Sequence, residues 1–142
     1  MTQPPLLLRR FGAMFYDLLI LIALWMLVIA LALAIVHGHV DVAHPPGPWR
    51  WSLRAAMLAV SATYFVLSWC RGGQTIGMRA WRLRLIRTDG DKLDARRALA
   101  RFFLAGLSLA LAGAGFWWAW IDPAQRTAHD RLTGTTVLRI HR

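Results

Sequence analysis

The sequence predicts an all-α integral membrane protein: two transmembrane helices, a third apolar segment forming either a broken hairpin or a third span, and a small cytoplasmic β element. Three observations carry this. Apolar residues make up 57% of the 142 and gather into long uncharged runs, of which Leu18–Val36 and Phe102–Ile121 are the cleanest. About 20 apolar residues in helical conformation cross a bilayer core. The 17 basic residues against seven acids give +10, and most of them flank the apolar runs. At this length the chain is one domain, 1–142.

All the basic residues but Lys92 are Arg, and all the acids are Asp. Such an excess suits nucleic acid, a membrane surface or topology-setting loops. The flanking placement selects the membrane, and without an aromatic-rich basic RNA-binding signature no nucleic-acid partner is expected. The single Cys70 allows no internal disulfide and no cysteine metal site.

Residues 1–10 read as a short polar head with Pro4-Pro5 and Arg9-Arg10. The first span follows, about 11–36. It is too long for a signal-peptide core and no convincing cleavage site follows it, so it is expected to stay as an anchor. Asp17 lies inside this span, seven residues after Arg10, so the two share a helix face about 10 Å apart along the axis. An ionised Asp at mid-bilayer costs on the order of 2.5–3.5 kcal/mol, whereas Arg10 snorkels to the head groups. Asp17 therefore looks to another segment for a partner. An interhelical salt bridge that fixes packing, a proton or ion relay, and an unpaired or protonated carboxyl are the three readings.

Residues 37–50 form an aqueous loop, with Pro45-Pro46-Gly47-Pro48 read as excluding helix. His37, His39, Asp41 and His44 within it have the chemistry of Zn²⁺ or Cu²⁺ ligands, but their spacing in a Gly/Pro loop defines no metal site. The second span covers about 51–70, with Trp51 and Trp69 at its ends as interfacial aromatics.

Segment 71–101 carries nine basic residues, the excess that marks a cytoplasmic loop. It shares that side with the N-terminus, which puts loop 37–50 outside. Gly72-Gly73-Gln74-Thr75-Ile76-Gly77 is turn-rich. Trp81-Arg82-Leu83-Arg84-Leu85 alternates as a half-buried strand, Thr88-Asp89-Gly90-Asp91 is a turn, and Asp94 reads as the N-cap of a helix through Arg96, Arg97 and Arg101.

The third apolar stretch, 102–121, is long enough to span. Ala112-Gly113-Ala114-Gly115 in its middle weakens a helix, and Arg126, Arg131, Arg139 and Arg142 favour keeping the tail 122–142 in the cytoplasm. A helix–turn–helix returning the tail is preferred over a straight third span, with Trp117, Trp118 and Trp120 at the interface. The tail ends in Thr136–Ile140, a strand-like run whose backbone groups need a partner. Pairing with Ala80–Ile86 supplies one.

Three ordered motifs resemble the RDD family of small bacterial membrane proteins: Arg9-Arg10-Phe11-Gly12-Ala13-x-x-Tyr16-Asp17; Gly73-Gln74-Thr75-Ile76-Gly77-Met78-Arg79 leading to Leu83-Arg84-Leu85-Ile86; and Asp122-Pro123 followed by His129-Asp130-Arg131-Leu132-Thr133-Gly134-Thr135. The resemblance spans nearly the whole chain. It implies a multi-pass inner-membrane protein, for some members a cation/proton antiporter, and carries the family's Arg and two Asp onto Arg10, Asp17 and Asp130. Gly73, Gln74, Gly77, Arg79, His129, Arg131, Gly134 and Thr135 are the supporting positions. Met78 departs from the Lys common in that turn.

Transport, with Asp17 as the key carboxylate, is the leading reading, and an accessory or scaffold role is the alternative. Transport of a cation, proton or small solute would use Asp17, and two or three spans enclose a pathway only as an oligomer. A non-transporting accessory or scaffold subunit would bind a membrane-protein partner or anionic lipid through the basic segment. His129-Asp130 resembles a base with its orienting carboxylate, but no nucleophile or metal set accompanies it, so no enzyme activity, catalytic residue or cofactor is expected. Asp130 instead reads as an anchor of the Leu132–Gly134 turn, pairing with Arg10 or Arg79.

Overall fold

The uncharged run of Leu, Ile, Val and Ala produces the longest element, helix α1 (Leu6–Val36). Its 31 residues extend about 46 Å at 1.5 Å per residue, longer than a roughly 30 Å hydrocarbon core. The computed structural model describes residues 6–36, 41, 44, 46–123 and 126–140. The helix begins at Leu6, five residues before the expected start, so Arg9 and Arg10 lie within it. Its buried residues are Leu7, Arg10, Ala13 and Asp17, one stripe at i, i+3, i+6 and i+10. Beyond Asp17 no residue of the helix is fully buried, though Leu21, Leu24, Trp25 and Val28 continue as a half-buried stripe.

Helix α2 (Gly47–Gly72) also starts earlier than expected. The proline cluster does not exclude helix: Pro46 is the N-cap and Pro48 stands in the first turn, where a missing N–H is no loss. Within the spans Trp25 Nε1 donates to Ser61 Oγ at 2.9 Å, an interhelical bond. Helix α2 ends at Gly73, whose φ of +66° makes a left-handed cap.

The short helix α3 (Ile76–Ala80) follows, capped by Thr75, whose hydroxyl accepts from Met78 N–H at 3.1 Å. Strand β1 (Leu83–Arg87) starts three residues later than expected, because Trp81 and Arg82 form a turn with Arg82 at φ +56°. It pairs antiparallel with β2 (Thr135–Arg139), with Leu85 opposite Val137. Leu83, Leu85 and Val137 point into the core while Arg84 and Leu138 point out. This pairing puts the tail at the same end of the molecule as segment 71–101.

Helix α4 (Ala95–Ala110) begins as Asp94 predicts, but the Asp94 side chain makes no cap hydrogen bond; it meets Arg97 Nε at 3.4 Å. The third apolar stretch is not a straight span. Ala112 and Gly113 both have positive φ, +53° and +76°, and the chain bends by 102° into α5 (Ala114–Trp117) and a 3₁₀ turn, Trp118–Trp120. A Cβ at Gly115 would overlap Ser108 Oγ, so the returning arm lies tight on α4. Trp117, Trp118 and Trp120 are exposed. Helix α6 (Ala128–Leu132) then leads through Gly134 to β2.

Two helices are thus long and apolar enough to cross a membrane, with the bent pair as a third apolar element. The buried core, including Ala13, Trp69, Met78, Leu83, Leu85, Leu93, Ala98 and Val137, sits at the end where α1 begins and α2 finishes. Met78 is buried in it, an apolar environment that disfavours a charged Lys there.

Candidate functional site: two buried carboxylate clamps

The buried stripe of α1 carries two charged residues, and each meets a different part of the chain. Asp17 faces the turn between α2 and α3. Its Oδ1 accepts from the Tyr64 hydroxyl at 2.7 Å and Gly77 N–H at 2.9 Å, and its Oδ2 from the Thr75 hydroxyl at 2.6 Å. The Tyr64 oxygen in turn accepts from Ile76 N–H at 3.3 Å. Asp17 is 5% exposed. Among the described residues no cation pairs with it, which corrects the salt-bridge reading: its oxygens are met by hydroxyl and amide donors from α2 and the start of α3.

Small residues allow this approach. A Cβ at Gly77 would overlap the Ala13 carbonyl oxygen and lie 2.9 Å from Asp17 Cγ, and a Cβ at Gly12 would overlap the Trp81 ring. The Phe11-Gly12-Ala13 and Thr75-Ile76-Gly77 motifs are therefore two halves of one contact. Gln74 Nε2 donates to Leu83 O at 2.6 Å, and Leu85 N–H to Gly73 O at 2.7 Å, tying the turn to β1. At Gly73 a Cβ would stand 2.5 Å from Leu85 O.

Asp130 is the second clamp and is fully buried. Its Oδ2 accepts from Arg10 Nη1 at 2.7 Å and Thr127 N–H at 3.1 Å, and its Oδ1 from Arg101 Nη1. Asp130 N–H returns a bond to Thr127 Oγ1 at 3.3 Å, closing a capping box on α6. Arg101 also donates to Thr135 Oγ1 at 3.4 Å and lies 5.1 Å from the Trp69 ring centroid. One carboxylate thus joins α1, α4, α6 and β2. Burial alone would push the Asp130 carboxyl up, but Arg101 and Arg10, with His129 and the Thr127 N–H, hold it well below the usual range.

Of the two partners expected for Asp130, Arg10 is there and Arg79 is not; Arg79 is exposed on α3. Arg101 escaped the sequence reading. Its signal was position: it is the last charge before the uncharged run 102–121. Tyr64, Thr75 and Thr127 were also missed as donors. Arg131 is exposed, and Gly134 accepts Thr88 N–H at 3.0 Å through its carbonyl.

His129 is not a base oriented by Asp130, because both Asp130 oxygens are occupied by other donors. Its ring stands edge-on to Phe116 at 4.8 Å, with Nδ1 buried and unpartnered. Burial pushes its pKa down to about 3, Arg101 and Arg10 add to the shift, and Asp130 opposes it. His129 is therefore neutral at pH 7, while the unfolded chain takes up a proton below about 6.5. Stability linked to this group is present above 6.5 and lost as pH falls towards 3. About 2 kcal/mol is expected to be gone by pH 5, read as a lower thermal midpoint in detergent at pH 5 than at 7.5. His129→Phe should flatten that dependence; an unchanged pH profile would refute it.

Of the loop residues considered for metal, His37 and His39 lie outside the described residues. His44 Nδ1 meets Asp41 Oδ2 at 3.4 Å on an exposed surface, and no metal-holding group occurs among the described residues.

The fold and the two clamps define a membrane-type protein whose apolar helices are locked at one end by buried carboxylates. The chain belongs to the RDD family, whose sequence model matches residues 4–134. No curated protein and no solved structure matches it.

Proposed function

We propose that the protein is a non-transporting accessory or scaffold subunit of the bacterial inner membrane. In this reading its N-terminus, segment 71–101 and β2 are cytoplasmic, the α1–α2 connection is outside, and no catalysis is involved. The observation that carries it is the engagement of both clamps: Asp17 accepts three hydrogen bonds and Asp130 three more, all from the fold itself. Carboxylates with most of their acceptor sites so committed are suited to holding elements together. The unburied window of α1 offers its apolar surface to lipid and to a second chain, either another copy or a different membrane protein. Basic residues at the clamp end suit an anionic leaflet at roughly 1 kcal/mol each.

One observation favours the transport reading: Asp17 has neutral donors and no counter-cation, so an oligomer could use it as a carrier group. Cation-driven pH change in inverted vesicles separates the two. With the scaffold, vesicles with native protein and with Asp17→Asn both behave like empty vesicles. Asp17→Asn should also accumulate less, since a charged acceptor bond contributes about 1.5–3 kcal/mol. Na⁺ or K⁺ collapsing the gradient only with native protein would overturn the scaffold and establish transport.

A further inference from the structure

Where α2 gives way to α3, a cleft of about 260 Å³ opens. Its lining combines the apolar Leu67 and Ile76 with the cationic Arg71 and Arg79 and the polar Ser68 and Gln74. We propose that this cleft binds the phosphate of an anionic phospholipid, with the acyl chains running outward along Leu67 and Ile76. The inference rests on the accessory-subunit reading and names a ligand for it.

The two arginines are available. Elsewhere at this end Arg87 pairs with Asp89 and Asp91, Arg97 with Asp94, and Arg126 with Asp122. Arg71 and Arg79 are exposed, and no carboxylate among the described residues lies within salt-bridge reach of either. Nor are they needed to satisfy the end of α2. Trp69 O already accepts from Gly73 N–H at 3.0 Å and Ser68 O from Gln74 N–H at 3.3 Å. The nearest buried acid, Asp17, is wrapped by Tyr64, Thr75 and Gly77 and does not reach for them.

The chemistry of the walls selects the ligand. Leu67 and Ile76 are 42% and 55% exposed at the end of an apolar helix, where the hydrocarbon gives way to head groups. A ligand filling the cleft therefore needs both an apolar part and an anion. A planar guanidinium grips phosphate oxygens in pairs, and the Ser68 hydroxyl adds a donor. Gln74 Nε2 is already bonded to Leu83 O, so the amide shapes the floor and leaves phosphate contact to the arginines. The space equals about nine waters at roughly 30 Å³ each, enough for a phosphate and its glycerol but not for acyl chains.

The test is binding of short-chain phosphatidylglycerol to the purified full chain in detergent. Phosphatidylcholine and inorganic phosphate serve as separate probes. Arg71→Gln with Arg79→Gln should weaken phosphatidylglycerol by about 30-fold. Lys92→Gln with Arg96→Gln removes equal charge from exposed positions outside the cleft and should leave affinity within about threefold. Equal loss in both variants, or no loss in the first, overturns the site. Equal binding of phosphatidylcholine overturns the requirement for an anionic lipid, and binding of inorganic phosphate as tight as the lipid overturns the apolar wall's part. Should the double Gln variant fail to fold, Arg71→Lys with Arg79→Lys keeps the charge but loses paired contacts. It should bind several-fold more weakly, and native affinity there overturns the proposal. The vesicle experiment tests the accessory reading independently, so loss of one leaves the other measurable.

Discussion

Asp130→Asn is expected to cut membrane accumulation sharply and to lower stability in detergent by about 3–5 kcal/mol, the range for removing one partner of a buried ion pair. The change keeps the side chain's shape and removes its charge. Arg10 and Arg101, 7% exposed each, would then face each other without the anion between them. Arg10 Nε and Nη2 and Arg101 Nε already lack partners, and the one other acceptor in reach among the described residues is Thr135 Oγ1, a long 3.4 Å from Arg101 Nη1. The same change weakens the capping box on α6, because a neutral amide oxygen accepts Thr127 N–H less strongly than a carboxylate. Thermal unfolding of the solubilised variant measures this, and a loss below about 1 kcal/mol would show that the clamp does not hold the four elements. Replacing all three charged residues together with apolar ones of similar size, Arg10→Met, Arg101→Met and Asp130→Leu, should recover much of the loss, since no buried charge is then left alone.

This clamp also shows how far the sequence could be read. The spans were legible because long uncharged runs have one physical solution in a bilayer, and the sheet because Leu83 and Leu85 alternate with Arg82 and Arg84. The bend was legible at Gly113, which needs no Cβ-compatible φ. The starts of α1 and α2 were not. Arg9-Arg10 looked like a polar head, yet Arg10 belongs to a docked stripe, and Pro48 looked like a breaker while standing in a first turn. Partners were legible only in part. Asp130 had to find a cation, but which one depended on an Arg 29 positions away on a helix whose bend returns the tail. Asp17 took donors from Tyr64, Thr75 and Gly77, three positions whose convergence exists only after α2 and α3 have packed against α1. A carboxylate in an apolar run announces that it needs partners and does not say whether they are charged.

Gly77→Ala should have the second largest effect, and for a steric reason instead of an electrostatic one. The added methyl would overlap the Ala13 carbonyl oxygen, which belongs to the rigid α1 backbone and cannot swing aside as a side chain could, and it would crowd Asp17 Cγ at 2.9 Å. Helix α3 must then move away from α1. As it does, Gly77 N–H and the Thr75 hydroxyl leave Asp17, so a buried carboxylate loses two of its three donors. Overpacking costs about 1–3 kcal/mol and an unsatisfied buried acceptor a similar amount, for a combined loss on the order of 3 kcal/mol. Gly106→Ala supplies the comparison. No atom lies within 4 Å of a Cβ there, and in the interior of α4 alanine should match or stabilise by up to about 1 kcal/mol. If Gly77→Ala melts with the native protein while Gly106→Ala behaves as stated, the close approach of α3 to α1 is wrong. If both glycine variants lose stability alike, the effect is not specific to the α1–α3 contact. A selective loss at Gly77 ties the two glycine-containing motifs, 64 residues apart in sequence from Ala13 to Gly77, to a single point of contact that positions Asp17, and through α3 positions Arg79 beside Arg71.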